Sequence, residues 1–167
     1  MADLPWLDGY SGQTTADLLA FEGRYRTDSI VVAFDEGIGK KAARIGIERL
    51  TSAERIVLAV ESVEREVNSG GYLGLFSWTP EHVPLVVSSL QAIGRGDVAD
   101  LTRRAIDALG ISGPITVDAV KSAVEDEDDD RDDRLDAIDT EYFKFEGDLA
   151  DPVLTFIKAN HDEILLP

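Results

Sequence analysis

A chain of 167 residues with 44% hydrophobic side chains, no cysteine and 33 acidic against 16 basic groups carries a formal charge of −17. That length suits a single domain with a sizeable core, and the lack of cysteine excludes a disulfide framework and a thiolate zinc site. The charge argues against nucleic acid and anionic membranes as direct partners, because both would be repelled, and favours basic protein surfaces.

Residues 1–10 have neither a basic start nor an apolar run, and no stretch approaches the roughly 18 consecutive apolar residues of a membrane span. A soluble, cytoplasmic protein is the expectation. Leu4, Pro5, Trp6 and Leu7 form an arm expected to pack through its tryptophan. Thr15 reads as the cap of a short helix through Leu18, Leu19 and Phe21 that Gly23 ends. Asp28 or Ser29 caps the next segment, with Ile30, Val31, Phe34 and Ile38 inside. Residues 30–34 fit a buried strand equally well, since a short apolar run has no decisive period. Lys40, Lys41, Arg44 and Arg49 lie on the polar side of a continuing helix.

From 51 to 78 the chain reads as its hub. Ile56, Val60, Val63 and Val67 draw one helical stripe, widened by Val57 and Leu58. Thr51 and Glu54 make a capping box, and Asn68-Ser69-Gly70-Gly71 lets the helix stop and turn. Tyr72, Leu73, Leu75, Phe76 and Trp78 follow and are expected in the core, with a partner anchor as the alternative for Trp78. Thr79-Pro80-Glu81 opens a helix through Val83, Val86, Val87, Leu90 and Ile93 that ends at Gly94. Asp97 caps another through Val98, Leu101, Ala105, Ile106 and Leu109, closed by Gly110. Thr116 caps a short helix with Val117 and Val120. An acidic run precedes Leu135, Ile138 and Tyr142 at helical spacing, then Phe143, Phe145 and a break at Gly147. Asp151-Pro152 starts a last helix through Val153, Phe156 and Ile157 that ends near Asn160. The sum is an all-α, single globular multi-helix domain with an acidic C-terminal part.

Four separated segments, TTADLLAFEGRYRTDSIVVAF, ERIVLAVESVEREVNSGGYLGLFSW, VSSLQAIGRGDVADLTRRAIDALG and LDAIDTEYFKFEGDLADPVLTFIKAN, resemble the bacterial DNA-mimic-protein family. The resemblance runs from Thr14 to Asn160. Its sharpest part is Glu66 to Tyr72, similar to an E-x-x-N-G-G-aromatic signature, with Asn68, Gly70, Gly71 and Tyr72 as its structural residues and Ser69 where many members have a second asparagine. The resemblance implies a helical, homodimeric protein without a cofactor. Its acidic face would imitate DNA phosphates and occupy a basic DNA-binding protein such as a transcription factor.

The distribution of charge agrees with that implication. Residues 125–151 hold 14 acids and three bases. Were they one helix, they would span about 40 Å with one net charge per roughly 3.7 Å, against one per 3.4 Å or so along a DNA strand. The candidate face comprises Glu125, Asp126, Glu127, Asp128, Asp129, Asp130, Asp132, Asp133, Asp136, Asp139, Glu141 and Asp148, with Glu61, Glu64 and Glu66 as an extension on the polar side of the hub. Solvated loop is the ordinary fate of such a run. An immunity-type inhibitor of a basic toxin or nuclease would use the same acids.

Catalytic and metal chemistry find less support. His82 and His161 stand alone, with no relay around them, and His82 reads as a surface residue. Asp126, Asp128 and Asp130 have calcium-loop spacing, but Arg131 replaces the required glycine and Ala137 the closing glutamate. No metal site, cofactor or enzymatic activity is expected. The enzyme alternative is a dinucleotide-binding turn at Gly37 and Gly39, between a strand at 30–34 and a second strand ending at Glu61.

Overall fold

The computed structural model describes residues 3–145 and 148–167. Among them lie eight α-helices: α1 (Thr15–Leu19), α2 (Thr27–Ile45), α3 (Ser52–Trp78), α4 (Val83–Ala92), α5 (Gly96–Asp107), α6 (Val117–Glu125), α7 (Asp129–Tyr142) and α8 (Ala150–Ala159). The fold is all-α, and the one β pairing among the described residues is an isolated bridge between Glu22 and Tyr25. No helix of the described residues is long and apolar enough to cross a membrane. Contacts gather the chain into two compact units, Met1–Glu61 with Leu149–Pro167, and Ser62–Asp148. The expected break at Gly147 lies outside the described residues.

In the first unit α2 packs against α1 and α8. Ile30, Phe34 and Ile38, spaced by four, put one fully buried face on α2, so the short apolar run is helix and not strand. Gly37 and Gly39 therefore sit inside a helix. A Cβ on Gly37 would come within 3.0 Å of Leu166 and 3.1 Å of the Tyr10 ring, so close packing explains that glycine. The strand, turn and helix start that a pyrophosphate needs do not exist there, which overturns the dinucleotide alternative. The N-terminal arm is anchored by Leu7, which is buried and donates its N–H to Ser29 Oγ at 3.0 Å. Trp6 stays half out of the fold with the Arg26 guanidinium 5.5 Å from its ring centre, contrary to the expected tryptophan packing.

The capping box at the start of α3 forms as read. Thr51 N–H donates to Glu54 Oε2 at 3.0 Å, and Glu54 N–H donates to Thr51 Oγ1 at 3.1 Å. Glu54 is fully buried, yet its carboxylate also receives Lys41 Nζ at 2.7 Å and the Leu165 N–H at 2.9 Å. Three donors make a buried charge tolerable where none would not.

In the second unit α4 packs on α5, α5 on α7, and α6 beside α4. Val63, Val67, Tyr72, Leu75, Phe76, Leu90, Leu101 and Leu135 are among its buried side chains. The helical path of α3 breaks at Gly70 (φ −148°, ψ 19°) and Gly71 (φ 67°, ψ −170°), then resumes. Three expectations about the hub and the residues just after it fail. Trp78 is 58% exposed because it falls two residues past Phe76, off the Tyr72, Leu75 and Phe76 stripe. Glu61 and Glu66 are buried instead of lining a polar side. His82 is largely covered, and burial pushes its imidazole below the usual histidine range.

Candidate functional site

The acidic segment owes its shape to two local devices. Asp128, extended at φ −149°, caps α7 by accepting the Arg131 N–H at 3.0 Å. Asp129, Asp130 and Asp132 then fill the first turn, where the helix dipole favours negative charge. The second device is Arg131 itself, buried in the middle of the acids. Its Nη1 donates to the carbonyls of Ala123 at 2.8 Å and Asp126 at 3.0 Å, and its Nε donates to Asp132 Oδ1 at 2.9 Å. One guanidinium thereby ties the end of α6 to the start of α7.

Leu135, Ile138 and Tyr142 hold the rest of α7 to its unit through buried side chains at helical spacing. On the outside, Glu125, Asp126, Glu127, Asp128, Asp129, Asp130, Asp133 and Asp136 are exposed, and Asp132 is half-buried. The tract is not one straight rod, because α6 ends at Glu125 and α7 covers only Asp129–Tyr142. Over α7 alone, 14 residues carry seven acids and two arginines. That is one net charge per roughly 4 Å of helix, still near the spacing along a DNA strand.

Two acids expected on the outward face are tied to other elements of the fold. Asp139, half-buried, accepts the Tyr72 N–H at 2.8 Å. Burial raises its carboxyl above the usual range, the Asp136 charge adds to the rise, and the Tyr72 bond opposes it. Glu141 makes a two-point pair with Arg104, at 2.7 and 2.8 Å, which lowers its carboxyl. Asp148 is exposed beyond α7, and its carbonyl accepts from Arg95 Nη1 at 3.4 Å.

Glu64 accepts the Tyr142 hydroxyl at 3.3 Å, and burial raises its carboxyl. Burial and the Glu64 charge likewise push the Tyr142 phenol up. Of the intended extension, then, Glu61 and Glu66 are covered and Glu64 half-covered, so α3 adds little to an outward field. Between α5 and α7 lies an open groove of about 440 Å³ lined by Arg104, Asp107, Ala108, Arg134, Ala137 and Ile138.

The residues of the glycine signature are architectural. Asn68 is exposed and bonds the Glu64 carbonyl, while Tyr72 is fully buried with its hydroxyl 2.8 Å from Thr102 Oγ1. A methyl group on Gly71 would overlap the Asp139 carboxylate, and one on Gly70 would overlap the Trp78 ring. Sequence reasoning missed the Arg131 tie, whose one signal was an arginine three residues after an aspartate able to cap. Among the described residues no group of three or more His, Asp or Glu is placed to hold a metal.

A family model described as "DMP19-like protein" matches residues 48–160, which takes in α3 to α8 and the whole acidic segment. No curated protein and no solved structure matches the chain.

Proposed function

The chain belongs to the DMP19-like protein family, and from that premise we propose that it is a non-enzymatic binding protein. Its carboxylates along 125–136 stand in for the phosphates of duplex DNA and occupy the nucleic-acid-binding surface of a basic protein, a transcription factor being the leading class. What supports this reading above all is the Arg131 tie. A like-charge run left as loop averages its field over many conformations, whereas these acids project from a helix fixed by Leu135 and Ile138 and from a start pinned to two carbonyls. Charge at fixed positions can match a fixed array of lysines and arginines. A homodimer that doubles the face is part of the same proposal.

Capture from the native cell tests the reading. The immobilised protein should retain basic nucleic-acid-binding proteins at 0.1 M salt and release them towards 1 M, as the Debye length shrinks from about 10 Å to about 3 Å. Asp129, Asp130, Asp133 and Asp136 changed together to asparagine should abolish retention. A retained set unaffected by those four changes would refute it.

A further inference from the structure

Trp78 is the largest exposed aromatic side chain of the second unit, and it is held in place. The outer edge of its six-membered ring abuts Gly70 and Gly74, so closely that a Cβ on Gly74 would come within 2.9 Å of Cζ3 and 3.2 Å of Cε3. The absence of side chains at Gly70 and Gly74 makes room for the rim of the indole, which is held there while 58% of the residue stays exposed. Gly71, next to Gly70, is in turn in contact range of the Asp139 carboxylate on α7. Consecutive Cα atoms are 3.8 Å apart, so the ring tip and that carboxylate stand within about 11 Å. The indole therefore borders the acidic helix.

An exposed π-face attracts cations, and arginine stacks on tryptophan best of all. The chain already does this once with its other tryptophan, where Arg26 covers Trp6. Among the described residues no cation covers Trp78. We propose that Trp78 is an anchor at the edge of the acidic face, and that its outward ring receives an arginine side chain from the basic partner. This rests on the proposed function, adding to a field of fixed charge one desolvated contact that selects guanidinium and sets register. Such aromatic anchors carry a large share of binding energy at protein interfaces.

The probe is an oligo-arginine peptide at low salt, added to the Trp6→Phe protein, in which Trp78 is the sole tryptophan. Trp78 emission should be red-shifted and quenched by iodide in the free protein, then change saturably and become shielded as peptide binds. By calorimetry, Trp78→Leu in that background should weaken the peptide about three- to tenfold. Gly74→Ala, which displaces the ring without removing it, should give a smaller loss. If emission does not move and Trp78→Leu binds within twofold of its parent while the four-asparagine variant loses binding, the anchor is wrong and the acidic face stands. Loss from Trp78→Leu with none from the four asparagines would keep the anchor and remove the acidic face. A change from dimer to monomer in Trp78→Leu with peptide affinity unchanged would make a second copy the occupant and overturn the proposal.

Discussion

Asp139 on α7 accepts the backbone N–H of Tyr72 at 2.8 Å, joining residues 67 positions apart in the chain. The break at Gly70 and Gly71 leaves the resumed helix with N–H groups that lack intrahelical acceptors. Asp139 supplies one from another element. The acceptor matters here more than the charge, so Asp139→Asn should be close to neutral while Asp139→Ala should cost about 1–2 kcal/mol. Urea unfolding of the two variants decides this, and equal losses would assign the role to the charge.

Gly71 adopts φ 67° and ψ −170°, a region used essentially by glycine alone, whereas Gly70 at φ −148° lies where other residues can go. Gly71→Ala should therefore cost about 1–3 kcal/mol in strain, with a further loss as its methyl displaces Asp139. Gly70→Ala has only the exposed Trp78 ring to move and should cost less. Melting temperatures in the reverse order would contradict the assignment of strain.

Burial raises the carboxyl of Asp139 above its ordinary 3.8 and that of Glu64 above its ordinary 4.5. A raised carboxyl means that the folded state binds the proton more tightly than the unfolded chain. Stability from these groups is then present at low pH and falls as pH rises from the ordinary values through the raised ones. His82, lowered from 6.5, has the opposite slope, losing stability as pH falls below 6.5. Asp139→Asn removes one rising penalty, so its stability relative to the wild type should grow as pH climbs out of the carboxylate range. Parallel stability curves for the two proteins would show that the shift at Asp139 carries no weight.

Arg131 is the tie between α6 and α7, and its replacement by methionine keeps the bulk while removing the donors to Ala123 and Asp126. The loss should be at least about 2 kcal/mol, as expected for hydrogen bonds to a charged group. Amide exchange should accelerate locally over 123–131 before it does in α5. Unchanged protection there would mean that the acids hold their shape without the arginine.

Helix ends were the most legible part of the sequence, because each is set by a few residues acting locally. Thr51 with Glu54, Thr116 as a cap, and the glycines at 94 and 110 fall where read, whereas Thr14 replaces Thr15 as the first cap, and Asp28, Ser29 and Asp97 lie inside the first turns of α2 and α5 instead of capping them. What failed depends on contacts distant in sequence. Trp78 has the composition of a core residue but the helical phase of a surface one. Glu61 and Glu66 read as polar-side acids, yet the middle of α3 is covered on nearly all sides. Asp139 and Glu141 carry charge in the sequence and hold α3 and α5 in the structure, and a linear charge count cannot separate those uses.

Competition on a captured DNA-binding partner tests the central claim most directly. Duplex DNA bearing the partner's site and the wild-type protein should displace each other, so that apparent affinity for one falls in proportion to the other's concentration. Two variants of equal charge sharpen the comparison: Asp129, Asp130, Asp133 and Asp136 to asparagine, against Asp3, Glu48, Asp162 and Glu163 to their amides, all eight residues being exposed. The first set should lose competition and the second retain most of it. A ternary complex of partner, DNA and protein, or equal loss from both sets, would contradict the account.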